Sequence, residues 1–180
     1  EVSDNCLKIE NTASASFMNF NNIGAEITVT VPERQFDEVK IELNAGEFYA
    51  NDIITDKLII EMDAGEAVFN NISAISDSNI TINAGECTFN NSVLNESEIN
   101  MDAGEMIFEE CKLTGENDIN LDFGEISMML LGKRSDYELE INNDLGEVNV
   151  EKLNDESVNP IGTIKINLDL GECNIDFVEE

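Results

Sequence analysis

One short phrase returns seven times along the chain and restricts its fold more than any other feature. It ends in Gly-Glu, with Asn or Asp two places before the glycine and an apolar residue immediately before it. The seven glycines are spaced 19, 20, 19, 20, 22 and 25 residues apart: Gly46, Gly65, Gly85, Gly104, Gly124, Gly146 and Gly171. A repeat of this length is typical of a solenoid, in which each repeat forms one coil.

Apolar residues alternate with polar ones inside each repeat. Isoleucine stands five places before every glycine, and apolar residues fall two and four places after it. This period of two predicts short strands with one buried face. The parity changes across the Gly-Glu step, so a bend or bulge is predicted there. The predicted fold is all-β: a single-stranded parallel β-helix (β-solenoid) of about eight coils, with 19–25 residues per coil.

Two further columns complete the predicted coil. Polar pairs such as Asn70-Asn71 and Asn90-Asn91 predict a corner between two strands. The apolar residue directly before each glycine is predicted to face inward and to pack against the phenylalanines that follow the glycine. The members of this column are Ala45, Ala64, Ala84, Ala103, Phe123, Leu145 and Leu170.

The chain is predicted to be a single β-solenoid domain over residues 1–180. Residues 40–180 would form the regular coils, and residues 1–39 an irregular first coil that caps the exposed edge. Ile27, Val29 and Val31 alternate in this first part and predict a strand.

The four cysteines do not predict a disulfide framework or a zinc site. Cys87 and Cys173 share one inward column but stand four coils apart in sequence, about 19 Å at a coil spacing of about 4.8 Å, which is too far for a bond. Cys111 belongs to another column, and no CxxC pair occurs with Cys6 or elsewhere. We expect these cysteines to act as small buried hydrophobes.

The net charge of -30 excludes a basic surface for nucleic acid. No apolar run approaches the roughly 18 residues of a membrane helix, so no membrane insertion is expected from this segment. Like charges at the two ends disfavour end-to-end association, and we expect a monomer.

The tandem "IxLDxGExxV" coils in an Asn-rich acidic chain carry a family resemblance. The chain resembles a bacterial adhesin-like family of β-solenoid domains of unknown function, common in Firmicutes, over nearly its whole length and most specifically from Lys40 to Ile175. The resemblance implies an extracytoplasmic location at the bacterial cell envelope or surface, with a signal or anchor upstream. Some relatives accompany envelope stress systems, and the family implies no catalytic motif.

The repeated carboxylates allow two interpretations. In one, each Glu accepts hydrogen bonds from backbone N–H groups at the glycine bend, and solvent screens its charge. In the other, the two polar columns beside the bend bind divalent cations such as calcium through oxygen ligands. The candidate metal ligands are Glu47, Glu66, Glu86, Glu105, Asp63 and Asp102. No catalytic or other cofactor-binding residue is assigned.

The most irregular stretch, "MMLLGKRSDYELE", offers candidates for a partner contact: Met129, Leu130, Lys133 and Arg134. Together these features predict a non-catalytic, adhesin-like binding or scaffold protein whose partner is a protein or glycan at the cell surface. The alternative is a carbohydrate-active β-helix enzyme of the polysaccharide lyase or hydrolase type. Because the carboxylates recur uniformly, no acid pair stands out by its spacing, and we favour the scaffold.

Overall fold

A computed structural model describes residues 2–3, 6–9, 26–150 and 159–179 of the chain. The chain divides into two compact units, Glu1–Pro32 and Glu33–Glu180. In the first unit, β1 (Val2–Ser3) and β2 (Cys6–Leu7) form an antiparallel pair. Part of the predicted first coil lies outside the described residues. Ile27, Val29 and Val31 are exposed and in no strand, so the strand predicted from their alternation is wrong.

Ten strands of the second unit form one parallel sheet, which confirms the predicted β-solenoid. Each coil contributes one rung, and the rungs are numbered here in chain order. The strands are β3 Gln35–Leu43, β4 Glu47–Asn51, β5 Ile54–Met62, β6 Glu66–Asn70, β7 Ser73–Asn90, β8 Val93–Asn95, β9 Ser97–Leu131, β10 Tyr137–Asn143, β11 Glu147–Val150 and β12 Gly162–Val178. Rung 1 consists of β3 and β4, rung 2 of β5 and β6, and rung 3 of β7. Rung 4 is β8 with β9 up to residue 109, and rung 5 is β9 from residue 112. Rung 6 consists of β10 and β11, and rung 7 of β12. One 3-10 turn, Arg134–Asp136, precedes β10.

The rungs do not stack in chain order. Rungs 1 to 5 follow one another, but β12 pairs with β9 from Gly162↔Gly115 to Val178↔Leu131. On its other side β12 pairs with β10 and β11, with Ile166 opposite Ile141. Rung 7 therefore lies between rungs 5 and 6, and rung 6 forms the outer end of the stack.

Side-chain contacts agree with this order. A column of asparagines hydrogen-bonds amide to amide along the stack: Asn120 donates to Asn100 at 2.9 Å, Asn167 to Asn120 at 2.8 Å and Asn142 to Asn167 at 2.9 Å. The buried Asn117 of rung 5 accepts from Ser97 N in rung 4 and donates to the Thr163 carbonyl in rung 7, at 3.2 Å each. The side chains thus join rung 5 directly to rung 7.

The new order corrects one distance and explains one sequence irregularity. Cys87 and Cys173 are three rungs apart, about 14 Å, rather than four, which is still too far for a bond. Asn143 occupies a column that is otherwise apolar, where Leu168 is its neighbour. Because rung 6 is terminal, Asn143 can use its amide to pair with both the N–H and the C=O of Gly146, at 2.6 Å each.

The interior is filled by the columns that the alternation predicts. Residues five and three places before the glycine are buried in rungs 2 to 5 and 7, for example Ile80 and Ile82. Phenylalanines from four rungs form a continuous stack: Phe48–Phe69, Phe69–Phe89 and Phe89–Phe108, with ring centroids 5.7, 4.8 and 5.6 Å apart. Like rings repeat at the rung spacing, so dispersion contacts run along the solenoid axis.

The polar corner is also as predicted. At the corner Asn70 donates to Asn51 and Asn90 donates to Asn70, both at 2.8 Å. The next residue along the chain has positive φ, as in Asn71 with φ 57°. Asparagine tolerates this conformation better than most residues because its short amide can bond locally.

The column directly before the glycine is the main error of the sequence prediction. It does not face inward: Phe123, Leu145 and Leu170 are exposed, as are Ala45, Ala64 and Ala84. The inward side chains are those three places before the glycine and two places after it. The chain begins to turn between these positions, so the residue before the glycine points outward although its parity predicts burial.

Candidate functional site

The glycine bends stack on one another and form the floor of a long open groove. The groove has a volume of about 1110 Å³ and runs across rungs 2 to 7 on the outer face of the sheet. Its lining is glycine and glutamate in almost every position: Gly65, Glu66, Gly85, Glu86, Gly104, Glu105, Gly124, Glu125, Leu145, Gly146, Glu147, Gly171 and Glu172.

Close backbone approach requires glycine at this floor. Gly104 has φ +136°, and a Cβ placed on it would lie 2.0 Å from the Gly85 carbonyl oxygen. The N–H groups at the bend are already bonded within the stack. Glu66 N donates to Gly46 O at 3.0 Å, and Glu86 N donates to Gly65 O at 2.9 Å. The prediction that glutamate side chains accept hydrogen bonds from N–H groups at the bend is therefore wrong for the N–H groups of Glu66 and Glu86.

The glutamates that follow the glycines form a second column along the groove, named here the glutamate ladder. It comprises Glu47, Glu66, Glu86, Glu105, Glu125, Glu172 and Glu147 in stacking order. At about 4.8 Å per rung, these seven carboxylates span about 29 Å. Their order differs from chain order only where rung 7 separates rungs 5 and 6.

The negative charges of the ladder contribute to raised pKa values in one of its own glutamates and in one adjacent tyrosine. Burial raises the pKa of the Glu105 carboxyl, and the charges of Glu86 and Glu125 raise it further. In rung 1, at one end of the ladder, the charges of Glu47 and Glu66 raise the pKa of the Tyr49 hydroxyl. A proton is thus held more tightly where the negative charges crowd, as like charges require.

In rungs 5 and 7, hydrogen bonds from neutral side chains stabilise the ionised carboxylates of the ladder. Ser127 donates to Glu125 at 3.2 Å, and Asn174 donates to Glu172 at 3.0 Å and to Glu125 at 3.4 Å. The ion pairs recorded among the described residues involve Lys40, Lys57 and Lys165, whose acidic partners are outside the ladder.

The structure brings together four of the candidate metal ligands. Glu47, Glu66, Glu86 and Glu105 lie side by side in successive rungs. Asp63 and Asp102 belong to the exposed column before the bend, where Asp63 accepts a hydrogen bond from Asn83 at 2.9 Å. This bond confirms for one pair that alternating Asn and Asp permits amide bonding. Within the described residues, no three acidic, histidine or cysteine side chains converge as a metal ion would need.

An exposed apolar row borders the far half of the groove, and sequence reasoning missed it by placing it inside. Phe123, Leu170 and Leu145 are 59%, 40% and 79% exposed. Phe123 is in register with Leu170, and Leu145 N donates to Asp169 O at 3.1 Å, so the three occupy adjacent rungs. Along the near half the same column holds only alanine. The row could have been found from the sudden change from alanine to large apolar residues at Phe123.

The partner-contact candidates from the irregular stretch have separate roles. Met129 is 40% exposed, but Leu130 is fully buried, so the expected exposure of this pair is wrong for Leu130. Lys133 N donates to the Asp136 carboxylate at 2.8 Å. Arg134 donates to the Tyr137 carbonyl at 2.7 Å, and its guanidinium carbon lies 5.7 Å from the centroid of the Phe177 ring. The basic pair thus helps to fold the turn before rung 6.

The cysteines are free thiols in this structure. Cys87, Cys111 and Cys173 are buried, as predicted, and Cys6 is exposed. Burial raises the pKa of Cys111 and of Cys173 to about 12. These thiols are therefore poor nucleophiles and act as packing groups.

A family model described as Toastrack DUF4097 matches residues 1–179 of the chain. No curated protein and no solved structure gives a significant match. Over its described part, the structure contains no helix with the length and apolar character needed to cross a membrane.

Proposed function

This chain belongs to the Toastrack DUF4097 family, and we propose that it is a non-catalytic, adhesin-like binding or scaffold module. We place it outside the cytoplasm, at the envelope or surface of a bacterium of the Firmicutes type. Its partner is a protein or glycan of that surface. Because the function of the family is unknown, the proposed role rests on the chemistry of this chain.

The observation that carries the proposal is the uniformity of the groove. From rung to rung it repeats the same two elements, a glycine floor and one carboxylate, over about 24 Å. Glycosidase-type catalysis uses one pair of carboxylates at a defined separation, whereas these carboxylates recur at every rung and no pair stands out by its spacing. A long repeated surface instead suits contact with an extended partner, as on other solenoids.

The location is tested on the organism that makes the protein. Protease added to intact cells should remove the protein, whereas a cytoplasmic marker enzyme should survive. Protection of the protein until the cells are lysed would contradict an extracytoplasmic location.

The binding role is tested with the purified protein. Beads coated with it should attach to cell surfaces or isolated envelope more than beads coated with an unrelated protein of equal negative charge. Equal attachment of both coats would leave only non-specific charge effects and would contradict the binding role. Release of reducing sugars or unsaturated products from envelope polysaccharide would favour the enzyme instead.

A further inference from the structure

The far half of the groove combines two features that rarely occur together on a solvated surface. Phe123, Leu170 and Leu145 expose large apolar side chains in three adjacent rungs. The near half of the same column contains only alanine, so the apolar row is local. Exposed contiguous apolar groups cost free energy in water, and on soluble proteins they mark interaction surfaces. None of the three supports the core, because each points away from it.

The same three rungs carry the glutamates Glu125, Glu172 and Glu147 on the other side of the glycine floor. Only neutral donors, Ser127 and Asn174, are recorded as hydrogen-bonding to these carboxylates among the described residues. A ligand for this half of the groove must therefore satisfy an apolar edge and an anionic edge at once, across a floor that has no side chains.

We propose that the groove docks an extended segment of a partner protein that carries lysine or arginine beside an apolar anchor. The inference deepens the proposed binding role and rests on it. Basic side chains would pair with the glutamate ladder, while the anchor packs on Phe123, Leu170 and Leu145. The glycine floor presents only main-chain atoms to a segment that lies on it. About nine extended residues would cover the 29 Å ladder, at about 3.3 Å per residue.

Charge complementarity selects this occupant over the alternatives. A second copy would bring another net charge of -30 to an acidic groove. A bare metal ion would leave the apolar row in water, and within the described region no three ligands converge on one point. A neutral glycan could donate hydroxyl hydrogen bonds to the carboxylates but would bring no positive charge to them.

The probe is a fluorescein-labelled, unstructured peptide of about nine residues, with lysine at alternate positions and two leucines at one end. Binding is followed by fluorescence anisotropy at low and at physiological salt. The peptide should bind, and its affinity should fall as salt rises, because surface ion pairs are screened. A peptide with glutamate in place of lysine should not bind.

Two variants test the two edges separately. The ladder variant Glu125→Gln/Glu147→Gln/Glu172→Gln should weaken binding about tenfold or more at low salt. The apolar variant Phe123→Ser/Leu145→Ser/Leu170→Ser should weaken binding by a similar factor but keep the salt dependence. Since Phe123, Leu145 and Leu170 are not part of the core, the urea midpoint of the apolar variant should stay close to that of the parent chain. The ladder variant should unfold at the same or a higher urea concentration, because it removes like charges from adjacent rungs.

Matched controls make the same chemical changes elsewhere. Glu109→Gln/Glu110→Gln/Glu138→Gln removes three exposed charges away from the groove, and Ile54→Ser/Ile75→Ser/Val93→Ser removes three exposed apolar groups. Neither control should change the affinity more than about twofold. Equal weakening by the ladder variant and its control would overturn the proposal, since attraction would then be non-specific. An apolar variant that binds normally, or a peptide that fails to bind, would overturn it too.

A second copy as occupant would show itself by concentration-dependent dimers in sedimentation that the apolar variant abolishes, and this also overturns the proposal. Failure of the groove is distinguishable from failure of the proposed function. If beads carrying the ladder and apolar variants still attach to envelope, the binding role stands and the groove is not its site. If protease cannot reach the protein on intact cells, the location fails while the peptide result is unaffected.

Discussion

At the scale of single residues, two factors require glycine at the bends: a positive φ and the close approach of the backbone of the next rung. Gly104 combines a positive φ with a carbonyl oxygen of Gly85 that lies where a Cβ would stand. Gly46 has a similar φ of +120°, but nothing lies within 4 Å of the corresponding Cβ position. A substitution at Gly46 therefore tests backbone strain alone, whereas a substitution at Gly104 tests backbone strain together with a steric clash.

Alanine at both positions should therefore give unequal losses of stability. Gly46→Ala should lower the free energy of unfolding by about 1–3 kcal/mol, the cost of a strained backbone. Gly104→Ala should cost clearly more or prevent folding, because the backbones of two rungs must also separate. Urea denaturation followed by circular dichroism checks the comparison. Equal losses would mean that the rungs can move apart at little cost.

The central glutamate predicts a pH effect of defined sign. Burial, aided by Glu86 and Glu125, raises the pKa of the Glu105 carboxyl above its ordinary value of 4.5. The folded chain then binds this proton more tightly than the unfolded chain does. The destabilisation from Glu105 is therefore fully present above the raised pKa. It is lost as the pH falls through that pKa towards 4.5.

Glu105→Gln should accordingly stabilise the protein at pH 7, by on the order of 1 kcal/mol, because the amide has no charge to desolvate and none to repel Glu86 and Glu125. The advantage should shrink as the pH approaches 4.5. Glu47→Gln is the matched control, since Glu47 ends the ladder and has one ladder neighbour. Thermal unfolding from pH 7 to pH 4.5 measures both variants, and an advantage for Gln that grows on acidification would contradict the sign.

The sequence predicted most residue environments because each strand position recurs seven times. The alternation of apolar and polar residues, and its change at the glycine, predicted the buried isoleucine column, the bend at glycine and the outward glutamates. The apolar column before the glycine was not, because parity assumes that a strand stays straight until its last residue. At Phe123 the chain is already turning, so an apolar side chain points into water, and only the packing of the bend decides this.

At the scale of elements, the main finding is that β12 lies between β9 and β10. Chain order gave no reason to expect it, because equal repeats stack equally well in any order. Two features of the sequence agree with this placement of β12: Asn143 stands in an otherwise apolar column, and the glycine spacings on either side of Gly146 lengthen to 22 and 25 residues. A polar residue in that column is acceptable in an end rung, where its amide can pair with Gly146.

Engineered disulfides test this order directly. In a Cys6→Ser background, Asn120→Cys/Asn167→Cys should form a bond, because these residues are in register in adjacent rungs about 4.8 Å apart. Asn120→Cys/Asn142→Cys should remain reduced, because rung 7 separates the two positions by about 9.6 Å. Peptide mapping by mass spectrometry under non-reducing conditions identifies the bond. Stacking in chain order predicts the reverse result.

At the scale of the whole molecule, the net charge of -30 acts on every part of the fold. Only nine basic residues oppose 39 acidic ones, and the ladder concentrates seven carboxylates along one line. Compact folding brings these charges closer together than they are in the unfolded chain, so self-repulsion destabilises the native state. Dissolved salt screens that repulsion.

The melting temperature should therefore rise by several degrees between about 10 mM and about 500 mM NaCl. The variant Glu66→Gln/Glu86→Gln/Glu105→Gln should show a smaller rise, because it has fewer closely spaced charges to screen. Differential scanning calorimetry of both proteins gives the comparison. A melting temperature that does not respond to salt would show that the unfolded chain is as strongly self-repelling as the folded one.

The placement of β12 also has a consequence for synthesis on the ribosome. Solenoids stacked in chain order can add each coil to the last as it emerges, since folding can propagate from neighbour to neighbour. Here Val150 emerges before Gly162, yet β10 and β11 have no lasting partner until the 17 residues of β12 have paired with β9. Translation halted between these residues would leave rungs 1 to 5 stacked with an unpaired edge on rung 5, and rung 6 would reach its final place only after β12 has been made.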